Sequence, residues 1–597
     1  MDTQSMTVGL RFRRGTGGRS RILVAMAAVL ALVACGIAGE RYGWAGLGED
    51  EDGAGANRKP NVVMIMTDDQ WLESVRVMDR TREIFGDGGV EFEKYYPSMP
   101  LCCPSRSTFL SGQFAHNNGV RHNSSPLGGY AKLDDGNTLP VWMQKAGYAT
   151  SHIGKYPNGY GHEDPKDVPP GWDEWRGSVD PSTYRMWGYR LNENGKLKTY
   201  GSPEVEDPKL YQTDVYRDKA ADFIERKSAE GKPFFLDVAF LAPHGELLGG
   251  KKKGGAKGSK KGAAGDGAAG GGAAKDGAAN EADRPQVGPA PRPAPRHEGE
   301  FADEPLPGTP AYGEEDMSDK PAFLRDYPDL DEETKQEITD SYRGRLESLL
   351  AVDEAVGKIV STLREAGQLD NTYLLFASDN GFFFGEHGIP TGKFLPHEAS
   401  GHVPMMMRGP GIEGGTASKE LSSNVDLAAT IADIGGAKPG LALDGRSLLP
   451  YARDPRRHTD RPILHEAAEG ARPKPVPEGG PASGGDAESG RRAAEGDLDQ
   501  DGEASPGKTK KRKPKYGQVY SAAYESIRTE RYLYVRYVQG GRELYDLEKD
   551  PHELSSKHDD PAYADVRKGL EKALRTLQGC AGEECNKEAG KLPEPEG

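Results

Sequence analysis

Cysteine is scarce in this chain, with five in 597 residues, at positions 35, 102, 103, 580 and 585. Only Cys102 with Cys103 and Cys580 with Cys585 lie close together, and neither arrangement supplies two ligand pairs with zinc spacing, so a cysteine zinc site is excluded. Cys580 and Cys585 instead form a candidate disulfide, which persists in an oxidising compartment. Long apolar runs are lacking too: the stretch at residues 22–34 is short of the roughly 20 residues that a spanning helix needs. Basic charge is not in excess. With 77 Lys and Arg against 93 Asp and Glu, the net charge of −16 excludes a general attraction to nucleic acid or anionic lipid, while leaving room for a local basic pocket.

The N-terminus has Arg11, Arg13, Arg14, Arg19 and Arg21 ahead of that apolar stretch, the pattern of an export signal. It closes on Leu32-Val33-Ala34-Cys35, which resembles a lipobox in which Cys35 is lipidated and becomes the new N-terminus. An uncleaved anchor or ordinary cleavage are the alternatives. Each predicts an extracytoplasmic protein, held at the membrane through its N-terminus or secreted.

A chain of this length exceeds one ordinary core, which stops growing near ~250–300 residues. The composition divides it into a signal at 1–35, a Gly- and acid-rich tether at 36–58, a main domain at 59–465, a linker at 466–515, a C-terminal subdomain at 516–586 and a tail at 587–597. Residues 249–296 (Gly, Ala, Lys, Pro) and the linker bury too little apolar surface to order themselves and read as disordered insertions.

Within the main domain, Asn61-Val62-Val63-Met64-Ile65-Met66 is a continuous apolar run, as expected of a strand covered on both faces. Similar runs stand at 234–240, 373–377 and 403–407, with helical periodicity at 213–227 and 333–366. This alternation predicts an α/β fold, a large mostly parallel mixed sheet sandwiched by helices. Short strands at 519–527, 532–537 and 543–546 and a helix at 562–577 predict a small C-terminal α+β subdomain.

Two motifs fail on context. Residues 502–509 satisfy the phosphate-loop pattern letter for letter but have neither the preceding strand nor the following helix that a phosphate cradle needs. Asp497, Asp499 and Asp501 begin a calcium loop whose twelfth position is Lys508 instead of the chelating Glu.

The chemistry lies elsewhere. Asp68 and Asp69 follow the first strand, and Asp379-Asn380-Gly381 follow the strand at 373–377. Hard oxygen donors at two strand ends suit Ca²⁺ or Mg²⁺, with Ca²⁺ favoured by an all-oxygen cage. Between them lies Cys102-Cys103-Pro104-Ser105-Arg106, where Pro104 suits a first helical turn, so that Cys102 faces a helix N-terminus that favours an anion.

Cys102-x-Pro-x-Arg106 resembles the signature of type I sulfatases, members of the alkaline-phosphatase superfamily, and the doubled cysteine is similar to the N-acetylglucosamine-6-sulfatase and heparan-sulfatase group. Gly154-Lys155-Tyr156, Ala242-Pro243-His244, Ser378-Asp379-Asn380-Gly381 and Glu543-Leu544-Tyr545-Asp546-Leu547 look like further landmarks. The resemblance implies conversion of Cys102 to formylglycine by a formylglycine-generating enzyme, and hydrolysis of sulfate esters of a sulfated carbohydrate. It implies a metal held by Asp68, Asp69, Asp379, Asn380 and residue 102, with Arg106 stabilising the aldehyde hydrate. Lys155, His244 and Lys393 would bind the sulfate oxygens, His244 would protonate the leaving alcohol, and His116 would be the base that releases sulfate. The residues leave two other readings open, a phosphodiester or phosphonate monoester hydrolase on the same fold and a silent glycan-binding surface lipoprotein. Pro157, Asn158, His397 and His402 depart from common family positions and bear on which substrate is accepted.

Overall fold

The computed structural model describes residues 59–247, 287–467, 522–538 and 540–596. The export signal with Cys35, the tether, most of the 249–296 insertion, and nearly all of the linker with its two motif matches lie outside the described residues.

Ten strands form one sheet: β1 Asn61–Asp68, β2 Gly89–Phe92, β3 Ala149–Gly154, β4 Glu174–Ser178, β5 Tyr189–Glu193, β6 Lys196–Tyr200, β7 Phe234–Pro243, β8 Thr372–Ser378, β9 Met405–Arg408 and β10 Thr416–Ser418. Their order is β10-β2-β9-β8-β1-β7-β3-β4-β5-β6. The centre, β8-β1-β7-β3-β4, is parallel, while β9 runs antiparallel to both β8 and β2, and β5 and β6 form an antiparallel margin. The sheet is therefore mixed and mostly parallel, as the sequence predicts.

The unbroken apolar character of β1 follows from its position. Val62, Met64 and Met66 enter one core with Trp142, Leu427 and Ile431, while Val63 and Ile65 enter the other with Val352, Val356 and Ile359. The second core is roofed by the helices Gln212–Glu230 and Glu332–Glu365. The longer helix starts where the Asp331 side chain accepts from the Thr334 N–H at 2.8 Å, and the shorter stops at Gly231, whose φ of 67° suits glycine. Among the described residues, no helix is long and apolar enough to cross a membrane.

A second sheet is antiparallel, in the order β11 Ile463–Ala467, β12 Tyr524–Arg528, β13 Tyr532–Tyr537 and β14 Arg542–Asp546. One face carries Leu464, Ile527 and Leu544 against Val566, Leu570 and Leu574 of the helix Ala564–Leu577. The other packs Tyr524, Leu533 and Val535 against Leu101, Phe383 and Phe394 of the main domain. Cys580 and Cys585 are disulfide-bonded.

Two boundaries move. The expected break after residue 465 falls inside β11, which pairs with β12 and so belongs to the C-terminal sheet. Residues 287–296 of the expected disordered insertion are packed: Arg292 pairs with Glu246 at 2.6 Å, Arg296 with Asp214 at 2.7 Å, and Ala294 is fully buried. Local composition hides this because the carboxylates that hold the segment come from distant parts of the chain.

Candidate active site

Four neighbouring parallel strands end on the same edge, and each delivers a polar group there. Asp68 ends β1 and Asp69 follows it, Asp379 and Asn380 follow β8, His244 follows β7, and Lys155 follows β3. Carboxyl ends of adjacent parallel strands are where open α/β sheets place their sites, so residues over three hundred positions apart meet. Asp69 takes a left-handed conformation (φ 63°), which Asp tolerates better than most residues.

Cys102 is the first residue of the buried helix Cys102–Ser111, with Leu101 as its cap and Gly112, at φ 65°, closing it. The Cys102 Sγ lies 3.3 Å from Asp68 Oδ1 and 2.7 Å from Lys393 Nζ. Cys102 and Cys103 are both free and buried. Burial, and then Asp68, push the Cys102 thiol well up against the pull of Lys155 and Lys393, so it is not poised as a thiolate.

Charged groups pair closely around it. Lys155 contacts Asp68, and Lys393 contacts Asp69. Arg106 donates through Nε to Asp379 Oδ2 at 2.8 Å and through a guanidinium N–H to the Lys155 carbonyl at 3.0 Å. The second oxygen of Asp379 accepts from the Asp69 N–H at 3.2 Å. Burial alone would raise the Asp68 carboxyl, but Lys155, His244, Arg106 and Lys393 together hold it well below the usual carboxylate range. Asp379 goes the other way, raised to about 6 by burial and by Asp68 against Arg106.

The donor set fits a divalent cation. Ligand atoms of Asp68, Asp69, Cys102 and His244 lie within 4.8 Å of one another. His244 Nδ1 stands 2.8 Å from the Gly245 carbonyl and so carries the proton, which leaves the Nε2 lone pair facing Asp69 Oδ2 at 3.7 Å. Burial lowers this imidazole to about 4 despite Asp69 and Asp68. The Asn380 side chain donates to Asp69 Oδ1 at 2.7 Å, and its own buried Oδ1 has no hydrogen-bond partner. Asp379 and Asn380 thus flank the tightest group, and His244 stands within it.

Of the residues singled out from sequence, Asp68, Asp69, Cys102, Arg106, Lys155, His244, Asp379, Asn380 and Lys393 come together. His116 does not join them. Its Nδ1 lies 3.0 Å from Glu466 of β11 and its Nε2 lies 2.9 Å from the Cys580 carbonyl. Burial opposes protonation, yet Glu466 and that carbonyl raise the ring above its ordinary value, and an imidazole donating from both nitrogens has no lone pair for a base. Sequence reasoning missed Arg345, fully buried on the helix Glu332–Glu365, 3.7 Å from Asp69 Oδ2 and bonded to the Pro243 carbonyl at 2.9 Å. The available signal was a cation set among the apolar positions Tyr342, Leu346 and Leu349 of one helix face.

This geometry coincides with a family match. The family model described as Sulfatase matches residues 60–437, and a model described as N-sulphoglucosamine sulphohydrolase, C-terminal, matches residues 515–579. The chain belongs to the sulfatase family. It is a sulfuric ester hydrolase with an alkaline-phosphatase-like fold. An arylsulfatase of Volvox carteri is 32% identical to this sulfatase over 565 residues, covering 91% of this chain and 78% of that protein. The N-acetylglucosamine-6-sulfatase of Homo sapiens is 30% identical over 411 residues, 67% of this chain and 65% of that protein. A solved structure in complex with its substrate D-glucosamine-2-N,6-O-disulfate matches with a TM-score of 0.60 at 21% identity, covering 89% of this chain and 100% of the other. That last likeness concerns the fold alone.

Proposed function

We propose that this sulfatase hydrolyses a sulfate monoester of a sugar, with Cys102 converted to formylglycine and one divalent cation bound by Asp68, Asp69, Asp379, Asn380 and the converted residue 102. The observation that carries the proposal is the meeting of the β1 and β8 tips at the first residue of the Cys102 helix, with Cys102 Sγ 3.3 Å from Asp68. In the unconverted chain that sulfur stands in for a hydroxyl oxygen of the aldehyde hydrate.

A sulfate monoester has a poorly electrophilic sulfur shielded by negative oxygens, so the site must neutralise charge as well as supply a nucleophile. A bound divalent cation, Ca²⁺ in preference to Mg²⁺, supplies that neutralisation and makes a nearby hydroxyl more acidic. The hydrate supplies two hydroxyls, one to attack sulfur and one whose deprotonation releases sulfate and restores the aldehyde, an exit that serine lacks.

The chain's own residues do the rest. Lys155, Lys393, Arg106 and Arg345 outnumber Asp68, Asp69 and Asp379 in fixed charge, an imbalance that favours an anionic guest. Lys155 and Lys393 flank residue 102 and take the sulfate oxygens. Arg106, held by Asp379 and the Lys155 carbonyl, fixes the orientation of both and steadies the hydrate. His244 protonates the departing alcohol once an anion beside it raises its proton affinity. We assign His116 to fastening the segment after the Cys102 helix to the C-terminal subdomain, in place of a base.

A sugar substrate is supported by the N-acetylglucosamine-6-sulfatase relative. Maturation would need a formylglycine-generating enzyme, and the N-terminal pattern supports export with anchoring through lipidated Cys35 or an uncleaved segment. The test is desulfation of a panel of sulfated monosaccharides and glycosaminoglycan fragments by converted enzyme, with an aryl sulfate and an aryl phosphodiester alongside. Release of sulfate from at least one sugar, faster than phosphodiester cleavage, is expected. Faster turnover of the phosphodiester, or no sugar desulfated, overturns the reading.

A further inference from the structure

Lys393 is carried by a loop, residues 382–397, between β8 and β9, and a loop is an imprecise mount for a group that must stand 2.7 Å from the reacting residue. The backbone beside it is unusual. Phe394 has φ 100°, a conformation that strains a bulky residue and persists only where surroundings enforce it.

What enforces it comes from the C-terminal sheet. The Tyr524 hydroxyl, at the start of β12, donates to the Phe394 carbonyl at 2.5 Å, and the two rings meet edge to face at 5.8 Å. A second attachment follows within four residues. Buried His397 lies 3.4 Å from Glu543 of β14, and that carboxylate is itself fixed by the Tyr537 and Tyr545 hydroxyls at 2.5 and 2.7 Å. Phe394 and Leu395 share one apolar cluster with Tyr524, Leu533 and Val535, and the same cluster contains Leu101, the cap of the Cys102 helix.

We infer that the C-terminal sheet is a clamp on the active site, in which Tyr524, with the His397–Glu543 pair behind it, is a positioning residue that sets Lys393 against residue 102. The inference rests on the sulfate-binding role proposed for Lys393. Tyr524 touches neither residue 102 nor Lys393 through any described hydrogen bond, so its effect must pass through the strained Phe394 peptide.

A double-mutant cycle in the full-length, converted enzyme tests this, read with an activated aryl sulfate so that impaired variants still turn over measurably. Tyr524→Phe keeps the ring and removes one hydroxyl. It is expected to lower kcat/KM about tenfold, the scale of one lost buried hydrogen bond, with little change in the thermal midpoint. In a Lys393→Ala background the same change is expected to cost nothing further. Glu543→Gln, which loosens the second attachment, is the parallel variant should Tyr524→Phe fold poorly, and the same non-additivity is expected. Wild-type kcat/KM in both variants, or equal losses with and without Lys393, overturns the clamp while leaving the role of Lys393 standing. A wild-type rate in Lys393→Ala alone overturns that role and the clamp with it.

Discussion

Replacing His387 by glutamine should remove a stabilising contribution that is present only on the acidic side. His387 is buried in the loop that carries Lys393, with Nδ1 2.7 Å from Glu314 and Nε2 3.7 Å from Glu553. Burial works against its protonation, but the hydrogen bonds and charges of the two carboxylates overcome it and raise the ring from 6.5 to about 9. At ~1.4 kcal/mol per tenfold change in proton affinity, that rise corresponds to about 3 kcal/mol. The sign follows from the direction. A raised folded-state value stabilises fully below 6.5, and the contribution is lost as pH climbs through about 9. Urea unfolding of wild type and His387→Gln at a series of pH values is the assay. The difference between them should be about 3 kcal/mol below pH 6.5 and shrink steadily above it. A difference independent of pH would refute the reasoning, since glutamine matches the size of the ring approximately but cannot hold its charge.

Other outcomes follow from the same geometry. Cys102→Ala and Asp379→Ala should each abolish turnover with circular dichroism unchanged, and activity surviving either change would remove that residue from the chemistry. Chelation should suppress activity and lower the thermal midpoint, because a cation bound only to the folded chain stabilises it, and added Ca²⁺ should restore both. Changing Cys580 and Cys585 together to serine should cost about 2 kcal/mol of stability, the loop-closure value for so short a loop. Turnover should survive that change.

Part of the site was legible because Asp68 and Asp379 stand at the ends of apolar runs, while Arg106, Lys155, His244 and Lys393 were legible through the resemblance to the sulfatase signature. Asp68, Asp379, His244 and Lys155 all follow buried strands, and parallel pairing of those strands brings their ends together. Arg345 was harder to read: it lies inside a long helix, where the local mark is its place among the apolar positions Tyr342, Leu346 and Leu349, and nothing local ties that position to Asp69. His116 shows the limit of motif spacing, which tells how near a residue is along the chain but not that Glu466 and Cys580 will claim both its nitrogens. Tyr524 and Glu543 act from the far side of the linker, and only the packing of the second sheet on Phe394 makes their position meaningful. The same distance effect concealed β11, which looks like the end of one domain and pairs with the next.

The central claim is that residue 102 is the nucleophilic centre in converted form. Mass spectrometry of the peptide spanning residue 102, from protein isolated from its native host, tests it most directly. The account predicts a CHO group in place of the CH₂SH of Cys102 in the active fraction. An active fraction that hydrolyses sulfate esters while carrying only unmodified Cys102 would contradict it.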